Sequence, residues 1–468
     1  MGSSSTTRKD TDAAMNHKHQ EHKPDRLGGT QARSGWRWWA VGLAGMTGLT
    51  LAAVGGPTAS AADAVGRTLT AADDRPSDRD HRNKGEDGKH DTKSKERGGK
   101  EPNGTPVPCD TDALIAAITL ANARDGAVLD LAKNCTYLLT ADIDGNGLPA
   151  ITAPITLNGG KNTTIERAAT ADPFRILTVD TGGNLTLNHL IITGGQTTSN
   201  GGGIFVRAGG TLITNHSTIA RNIAQTPGGG IANSGTTRLA HSRVENNSTN
   251  QLGGGVNNIG LLEAIKSHID MNDATIGGGI YGSGNTVIKD GSISGNQATV
   301  TGGLFLAGAN GIVTNTRITE NSSAAAGAGG VQVEATAQLT MRHVNLSDNT
   351  SPATAGGLLV AEGDNFALVE DSLIKNNTAT DPGGGVFNSG ETVLRRTKVV
   401  GNQASQGGGI QNFGTLSLFT SKVVKNIAVT DGGGIFNSGG VVNLNTATGT
   451  VVIKNRPNNC VDVPGCAG

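Results

Sequence analysis

Three histidines stand at a spacing that could support chemistry. His189, His216 and His241 each precede an aliphatic residue by three positions, at intervals of 27 and 25 residues. Imidazoles that recur in one register can bind a metal or respond to pH. The register continues as Lys266, Asp290 and Asn315. Because no carboxylates accompany the histidines as a supporting shell, we expect a mixed polar surface column and no metal site.

Five aromatic residues form a second candidate site. Each follows a repeated glycine-aliphatic element: Phe205, Tyr281, Phe305, Phe387 and Phe436. Alternation along a strand would point these rings away from the core. Outward rings in a row can bind a ligand, but they also stabilise a sheet by contacts across strands. We take this column as the candidate ligand-binding site and keep the structural role open beside it.

One acidic loop resembles half of a calcium site. The stretch "DIDGNG" places Asp142, Asp144 and Asn146 at positions 1, 3 and 5 of an EF-hand loop. Position 12 is Ala153, where a complete loop needs a bidentate glutamate. We therefore expect a polar turn, and calcium at these three residues is the only cofactor that the sequence suggests.

The elements that position these residues are set by a repeat. Glycine-rich anchors such as "GGGVFNSG" at Gly383 and "GGGIFNSG" at Gly432 recur about every 26 residues between residues 201 and 432. A period of this length is typical of a solenoid. Short alternating segments such as "TTRLAHSRVENN", Thr236 to Asn247, indicate strands rather than helices. Several short strands per repeat, stacked about 4.8 Å apart, predict an all-β parallel β-helix.

An asparagine recurs once per repeat, three residues after an aliphatic residue. These residues are Asn222, Asn247, Asn272, Asn296, Asn321, Asn349, Asn377, Asn402, Asn426 and Asn455. Asparagine tolerates the left-handed conformation of a corner, and its amide can bond to the neighbouring coil. We therefore predict a structural asparagine ladder. A second, interrupted ladder would contain Asn233, Asn258, Asn388, Asn412 and Asn437.

The ends of the solenoid need caps because they expose unpaired strand edges. Asp110 to Gly126 has a helical apolar pattern and would cover the N-terminal end. The four cysteines form two local pairs, which suggests Cys109–Cys135 and Cys460–Cys466 disulfides in a secreted chain. Their spacing does not suit zinc. The expected regions are an N-terminal cap at 106–135 that contains the helix and the first strand, a β-helix at 136–455 and a disulfide-closed tail at 456–468.

The N-terminal region has a different composition. Residues 1–61 have the anatomy of a secretory signal, with Arg33 and Arg37 before a short apolar run and a small-residue cleavage site at Ala59 to Ala61. The alternative is an uncleaved membrane anchor, for which the run is at the short limit. Residues 62–105 hold ten basic and ten acidic residues and few apolar ones, which predicts a disordered charged linker.

The repeat resembles that of the right-handed parallel β-helix proteins of the pectate-lyase-like superfamily. "CDTDALIAAITLANARDG", "GLPAIT" and "LTLNHLIITGG" are similar to bacterial secreted proteins with a Cys-Ser-Leu-Arg-Glu-Ala type segment, and the GGGI coils to polymorphic outer membrane proteins. The resemblance implies a right-handed helix, which the general rule for parallel crossovers also favours. Enzymes of this superfamily would carry clustered aspartates, or "NTD", "DD", "GHG" and "RIK" signatures. The only "DD", Asp73–Asp74, lies in the charged linker.

These observations favour a non-enzymatic protein and identify no catalytic residue. We expect a secreted or cell-surface adhesin, or a scaffold that binds cell-wall or extracellular polysaccharide or another cell surface. The alternatives are a polysaccharide lyase or glycoside hydrolase, and a passive structural protein of the envelope. The near balance of 38 basic and 39 acidic residues does not suggest nucleic acid as a partner. We expect a monomer without membrane contact after signal cleavage.

Overall fold

The computed structural model describes residues 104–467. The predicted signal at 1–61 and nearly all of the predicted linker lie outside the described residues. The described part contains one α-helix, Thr111–Ala123, one 3-10 turn, Thr446–Thr448, and four sheets in which every pair of neighbouring strands is parallel. The chain passes repeatedly from sheet 1 through sheets 2, 3 and 4, as expected for a parallel β-helix. Its handedness stays a prediction. No helix among residues 104–467 is long and apolar enough to cross a membrane.

The strands of each sheet occupy equivalent positions in successive coils. Sheet 1 has 14 strands: Thr105–Val107, Ala127–Leu131, Pro154–Asn158, Asn184–Asn188, Thr211–Asn215, Thr236–Ala240, Leu261–Ile265, Thr286–Lys289, Asn310–Thr314, Gln338–Arg342, Phe366–Glu370, Glu391–Arg395, Thr415–Phe419 and Val441–Asn443. Sheet 2 has 13: Thr136–Leu139, Thr164–Arg167, Ile191–Thr193, Thr218–Ala220, Arg243–Glu245, His268–Asp270, Ser292–Ser294, Arg317–Thr319, Asn345–Ser347, Leu373–Lys375, Lys398–Val400, Lys422–Val424 and Val451–Ile453. Sheet 3 has 10: Gln196–Thr197, Ile223–Ala224, Ser248–Thr249, Asp273–Ile276, Gln297–Val300, Ser322–Ala326, Thr350–Ser351, Thr378–Ala379, Gln403–Gln406 and Ile427–Asp431. Sheet 4 has 12: Leu177–Val179, Ile204–Val206, Ile231–Asn233, Val256–Asn258, Ile280–Gly282, Leu304–Ala307, Val331–Glu334, Leu358–Val360, Val386–Asn388, Ile410–Asn412, Ile435–Asn437 and Cys460–Val461.

The alternation within each coil produces a narrow core. In Thr236–Ala240 the side chains of Thr237 and Leu239 are buried, whereas Arg238 between them is exposed. The alternation slips by one residue after this strand, because His241 forms a corner with a φ of 50° and reverses the side-chain order. Corner residues at this position are exposed in every coil from His189 onward, so the corner column is free of core packing.

The glycine triplets allow the coils to approach one another at the corner before sheet 4. In the triplet that begins at Gly228, the first glycine has a φ of 84°, a conformation that favours glycine. A Cβ atom on Gly229 would lie 2.5 Å from the carbonyl oxygen of Gly254 in the next coil. The glycines are therefore required by close backbone contact, as the repeat suggested.

The predicted asparagine ladder is continuous. Its ten members, from Asn222 to Asn455, are buried, and the Nδ2 of each donates to the Oδ1 of the next at 2.9–3.0 Å. The ladder ends at Asn459, whose Oδ1 accepts from Asn455 at 3.2 Å. The second ladder is present in two pieces, Asn233–Asn258 and Asn388–Asn412–Asn437, with apolar residues and Gly282 between them.

The helix covers the N-terminal end of the core. Asp110 caps it by accepting from the backbone N–H of Ala113 at 2.8 Å, and Leu114 and Ile118 are fully buried. Asn122 joins the helix to the next coil by donating to the carbonyl oxygen of Ala150 at 2.7 Å. The structure contains both expected disulfides, Cys109–Cys135 and Cys460–Cys466.

Both end segments of the described chain contribute strands to the parallel sheets. Thr105–Val107 pairs with Ala127–Leu131 as the first two strands of sheet 1. Cys460–Val461 pairs with Ile435–Phe436 as the last strand of sheet 4. The cap and tail segments therefore satisfy the outermost strand edges with their own backbone hydrogen bonds in addition to covering them.

Candidate ligand-binding faces

The five predicted aromatic residues lie in one outward column of sheet 4. The register aligns the middle residues of its strands in the order Thr178, Phe205, Ala232, Asn257, Tyr281, Phe305, Gln332, Leu359, Phe387, Gln411, Phe436 and Val461. Only Tyr281 and Phe305 are neighbours, with stacked ring centroids 5.4 Å apart. The column therefore faces outward as alternation predicts, but it does not present a continuous row of rings.

The preceding turn covers this column. Phe305 is only 7% exposed, and the other four rings are half-buried. A Cβ atom on Gly432 would lie 2.5 Å from the Cβ of Phe436, so the turn is folded against the ring. Ala328 and Ala355 of these turns form a small apolar cluster with Leu359 of the column, and Phe387 packs against it. These contacts support the packing role that the sequence analysis kept open beside ligand binding.

We expect Phe305→Ala to lower the free energy of unfolding by about 3 kcal/mol without changing polymer affinity, because it removes a buried ring. Phe413, which is 42% exposed, offers a matched control: Phe413→Ala should cost under about 1 kcal/mol. Urea denaturation and polymer binding would be measured on both variants. Lost binding by a stably folded Phe305→Ala protein would restore the aromatic column as the ligand site.

Basic side chains collect on a different surface. We define the sheet-2 face as the outward residues of sheet 2, the corner between sheets 1 and 2, and the corner that ends in each ladder asparagine. It carries 12 of the 21 lysines and arginines among residues 104–467: Lys133, Lys161, Arg221, Arg243, Lys266, Arg317, Lys375, Arg396, Lys398, Lys422, Lys425 and Lys454. All five histidines of these residues lie there too: His189, His216, His241, His268 and His343. Of the 25 acidic residues among residues 104–467, the face holds only seven: Glu166, Glu245, Asp270, Asp290, Glu320, Asp348 and Asp371. The remaining surface is acidic, with nine basic and 18 acidic residues.

Three surface depressions lie on or beside this face. The first, of about 530 Å³, is lined by Lys425, Lys454 and Arg456. The second, of about 490 Å³, is lined by Lys133, Lys161, His189 and His216. The third, of about 450 Å³, is lined by His343, Asp371, Arg396 and Lys398. Each depression thus offers several cationic or titratable side chains.

The C-terminal half of the face has the largest group of unneutralised charge. Lys375, Lys398, Lys422, Lys425 and Lys454 are all exposed. None of these five forms a salt bridge with a carboxylate of the described residues. Lys398 and Lys422 are direct neighbours in sheet 2, at a spacing of about 4.8 Å. The adjacent Arg396 differs, because its guanidinium bonds both oxygens of Asp371 at 2.6 and 2.8 Å and lowers the pKa of that carboxyl.

The predicted histidine row forms a stack at the N-terminal end of the face. The ring centroids of His189 and His216 are 5.0 Å apart, and those of His216 and His241 are 4.8 Å apart, with interplanar angles of 14° and 8°. A second row runs beside it on sheet 1, where Asn215, Asn188 and Asn158 donate in series, ending at Asp130. The sequence analysis missed this half-buried ladder, although Asn158, Asn188 and Asn215 occupy the same strand position in successive repeats.

A polar network at the centre of the face was also missed. Arg243 Nε bonds Glu245 at 2.7 Å, and its Nη2 lies 3.5 Å from Asp270. Ser292 donates to Asp270 at 3.1 Å and lies 2.8 Å from His268 Nδ1. The carboxylate contacts the serine rather than the histidine, so the arrangement is not that of a nucleophile activated by an oriented base. Both carboxylates share one guanidinium, and the contact with Glu245 is the main reason that the pKa of Arg243 is raised.

The "DIDGNG" stretch forms a turn. Asp142 accepts from the backbone N–H of Gly145 at 2.5 Å, and the buried Asn146 accepts from Thr178 Oγ1 at 2.6 Å. Asn146 Oδ1, which would be one of the calcium ligands, therefore accepts a hydrogen bond from Thr178 in the next coil. Within residues 104–467, no group of three or more His, Cys, Asp or Glu side chains is arranged to hold a metal ion.

No protein-family model and no curated protein matches the chain. Two solved structures are similar to it at low identity. The A-module of the Azotobacter vinelandii mannuronan C-5 epimerase AlgE6 has 14% identity and a TM-score of 0.33, with 72% of this chain and 97% of that chain covered. PfbA, a surface adhesin of Streptococcus pneumoniae, has 11% identity and a TM-score of 0.27, with 71% of this chain and 88% of that chain covered. At these scores neither likeness bears on function.

Proposed function

We propose that this protein is an extracellular β-helix that binds acidic polysaccharide through the sheet-2 face, as an adhesin or surface-binding scaffold. The observation that carries the proposal is the separation of charge, with basic residues on one long face of an otherwise acidic domain. Two disulfides in the described residues support an oxidising, extracellular location.

The geometry favours a linear polyanion over a small ligand. Stacked coils repeat cationic positions about every 4.8 Å along the axis, so an extended polymer can contact many of them at once. Each exposed contact is weak, but several contacts on one chain add through effective concentration. We therefore expect affinity that increases with polymer length and falls steeply with salt.

Binding of the purified protein to a polymer panel tests this function. The panel contains a polyuronate, a neutral glucan of equal length and duplex DNA, each at 50 and 500 mM salt. We expect tight binding of the polyuronate that high salt largely removes, and no binding of the glucan. Equal binding of DNA at equal charge density would indicate a polyanion surface without preference for sugars. Tight binding of the glucan would contradict the proposal.

The same samples distinguish binding from catalysis. Release of new reducing ends or unsaturated sugars, measured with and without calcium, would identify a hydrolase or lyase instead. We expect no product, since the two central carboxylates of the sheet-2 face, Glu245 and Asp270, are both held by Arg243. Binding to no polymer and no product would leave a passive envelope protein.

A further inference from the structure

The depression at the N-terminal end of the sheet-2 face has the chemistry of an anion site. Its lining contains Lys133, Lys161 and the stacked rings of His189 and His216. The other lining residues are uncharged: Gly159, Gly160, Asn162, Thr163, Leu190, Ile191 and Thr218. No acidic side chain lines it.

The stacked imidazoles make the charge of this depression variable. Imidazole is the side chain whose charge changes between about pH 5 and 8. Protonated rings at centroid distances of 5.0 and 4.8 Å repel each other, and a bound anion relieves that repulsion. Binding and protonation are therefore coupled, so each favours the other.

The surrounding charges are mainly positive. The charged and titratable groups around the row, on its own corner and on sheets 1 and 2, are Lys133, Lys161, Lys266, His268, Arg243, Glu245, Glu166 and Asp130. Glu245 is paired with Arg243 at 2.7 Å. Asp130 accepts a hydrogen bond from Asn158 at 2.8 Å, which leaves Glu166 as the one acidic side chain of this set without a bonded partner.

The fold does not require histidine at these positions. His189, His216 and His241 have φ values of 54°, 49° and 50°, and the same corner accepts Lys266 and Asp290 at similar φ in later coils. All three histidines are exposed and do not pack in the core. Their side chains therefore contribute to the surface chemistry rather than to the coil.

We propose that this depression binds one anionic group, a carboxylate or a phosphodiester, of the polymer and binds it more tightly at acidic pH. The inference rests on the proposed function, since the depression would be one end of the polymer-binding face. The lysines supply a constant attraction, and His189 and His216 add a pH-dependent one.

Binding of a uronate oligomer and of a phosphodiester polymer at pH 5.5 and 7.5 tests the proposal, because neither ligand changes its own charge appreciably in that range. We expect the affinity of the wild-type protein to rise about tenfold from pH 7.5 to 5.5. The double variant His189→Asn/His216→Asn should rise less than twofold, since asparagine tolerates the same φ but does not titrate. A preference for one ligand identifies the anionic group.

Two further variants distinguish the contribution of the two histidines from that of a histidine in another depression and from that of the lysines. His343→Asn occupies the same corner, with a φ of 54°, but lies in another depression and should keep the tenfold rise. Lys133→Gln/Lys161→Gln should weaken binding at both pH values. Equal wild-type affinity at both pH values, or a full rise in the double histidine variant, would overturn this inference while leaving the proposed function intact. Binding of neither polymer at either pH would overturn both.

Discussion

Replacing Lys375, Lys398 and Lys422 with glutamate is expected to lower the affinity for an acidic polysaccharide by about 100-fold. Each substitution removes one attraction and adds one repulsion, and an exposed ionic contact contributes about 1 kcal/mol or less. Three such changes together amount to about 3 kcal/mol, which corresponds to roughly two orders of magnitude in Kd. All three side chains are exposed on sheet 2, so the fold should tolerate the exchange. Affinity would be measured by calorimetry or biosensor at low salt.

A control variant with the same change in net charge distinguishes an effect of where the charges lie from an effect of the total charge of the protein. Arg124, Arg207 and Arg238 are exposed and lie outside the sheet-2 face. The triple variant with glutamate at these positions should bind within about threefold of the wild type, because distant exposed charges are screened. If the two triple variants lose affinity equally, the protein responds to net charge and the sheet-2 face has no special role.

Asn321→Ala is expected to destabilise the solenoid by about 4 kcal/mol. Asn321 is fully buried at the centre of the ladder. Its Oδ1 accepts from the backbone N–H and the Nδ2 of Asn296 at 3.1 and 2.9 Å. Its Nδ2 donates to Ile293 O and to Asn349 Oδ1 at 2.9 and 3.0 Å. Alanine would leave four buried polar groups short of a partner, and each such group costs about 1–3 kcal/mol before relaxation. The midpoint of urea unfolding measures the loss.

Asn310 provides the matched control in the same coil. It is exposed, and Asn310→Ala should change the free energy of unfolding by less than about 0.5 kcal/mol. Similar stability of the two variants would mean that the ladder hydrogen bonds contribute little, and that stacking of the aliphatic core alone holds the coils together.

The repeat allowed the fold to be predicted from the sequence. Asn321 and its equivalents recur with an aliphatic residue three positions earlier, and only a stacked architecture explains one amide per coil. The glycine triplets carried the same information, because close backbone contact admits no side chain at Gly229. In a solenoid, residues at equivalent positions of successive repeats contact each other, so the periodicity of the sequence predicts both the core and the ladder.

The burial of outward residues and the distribution of surface charge could not be predicted from the repeat in the same way. Phe305 occupies an outward position in its strand, as alternation predicted, yet it is only 7% exposed. Alternation predicts on which face of a strand a side chain lies, but not whether other parts of the coil cover it. The basic face was also missed, because Lys398 and Lys422 are 24 residues apart and become neighbours only when the coils are aligned. Aligning corner and strand columns across repeats would have revealed it.

Labelling of lysine amines with and without bound polyuronate, read by mass spectrometry, tests the central claim most directly. We predict that Lys375, Lys398, Lys422, Lys425 and Lys454 become at least about fivefold less reactive in the complex, because a bound polymer excludes reagent from charged contacts. Lys289, which is exposed on sheet 1, should react at its original rate. Unchanged reactivity of the sheet-2 lysines in a polymer-bound sample would contradict the account, because the polymer would then occupy another surface.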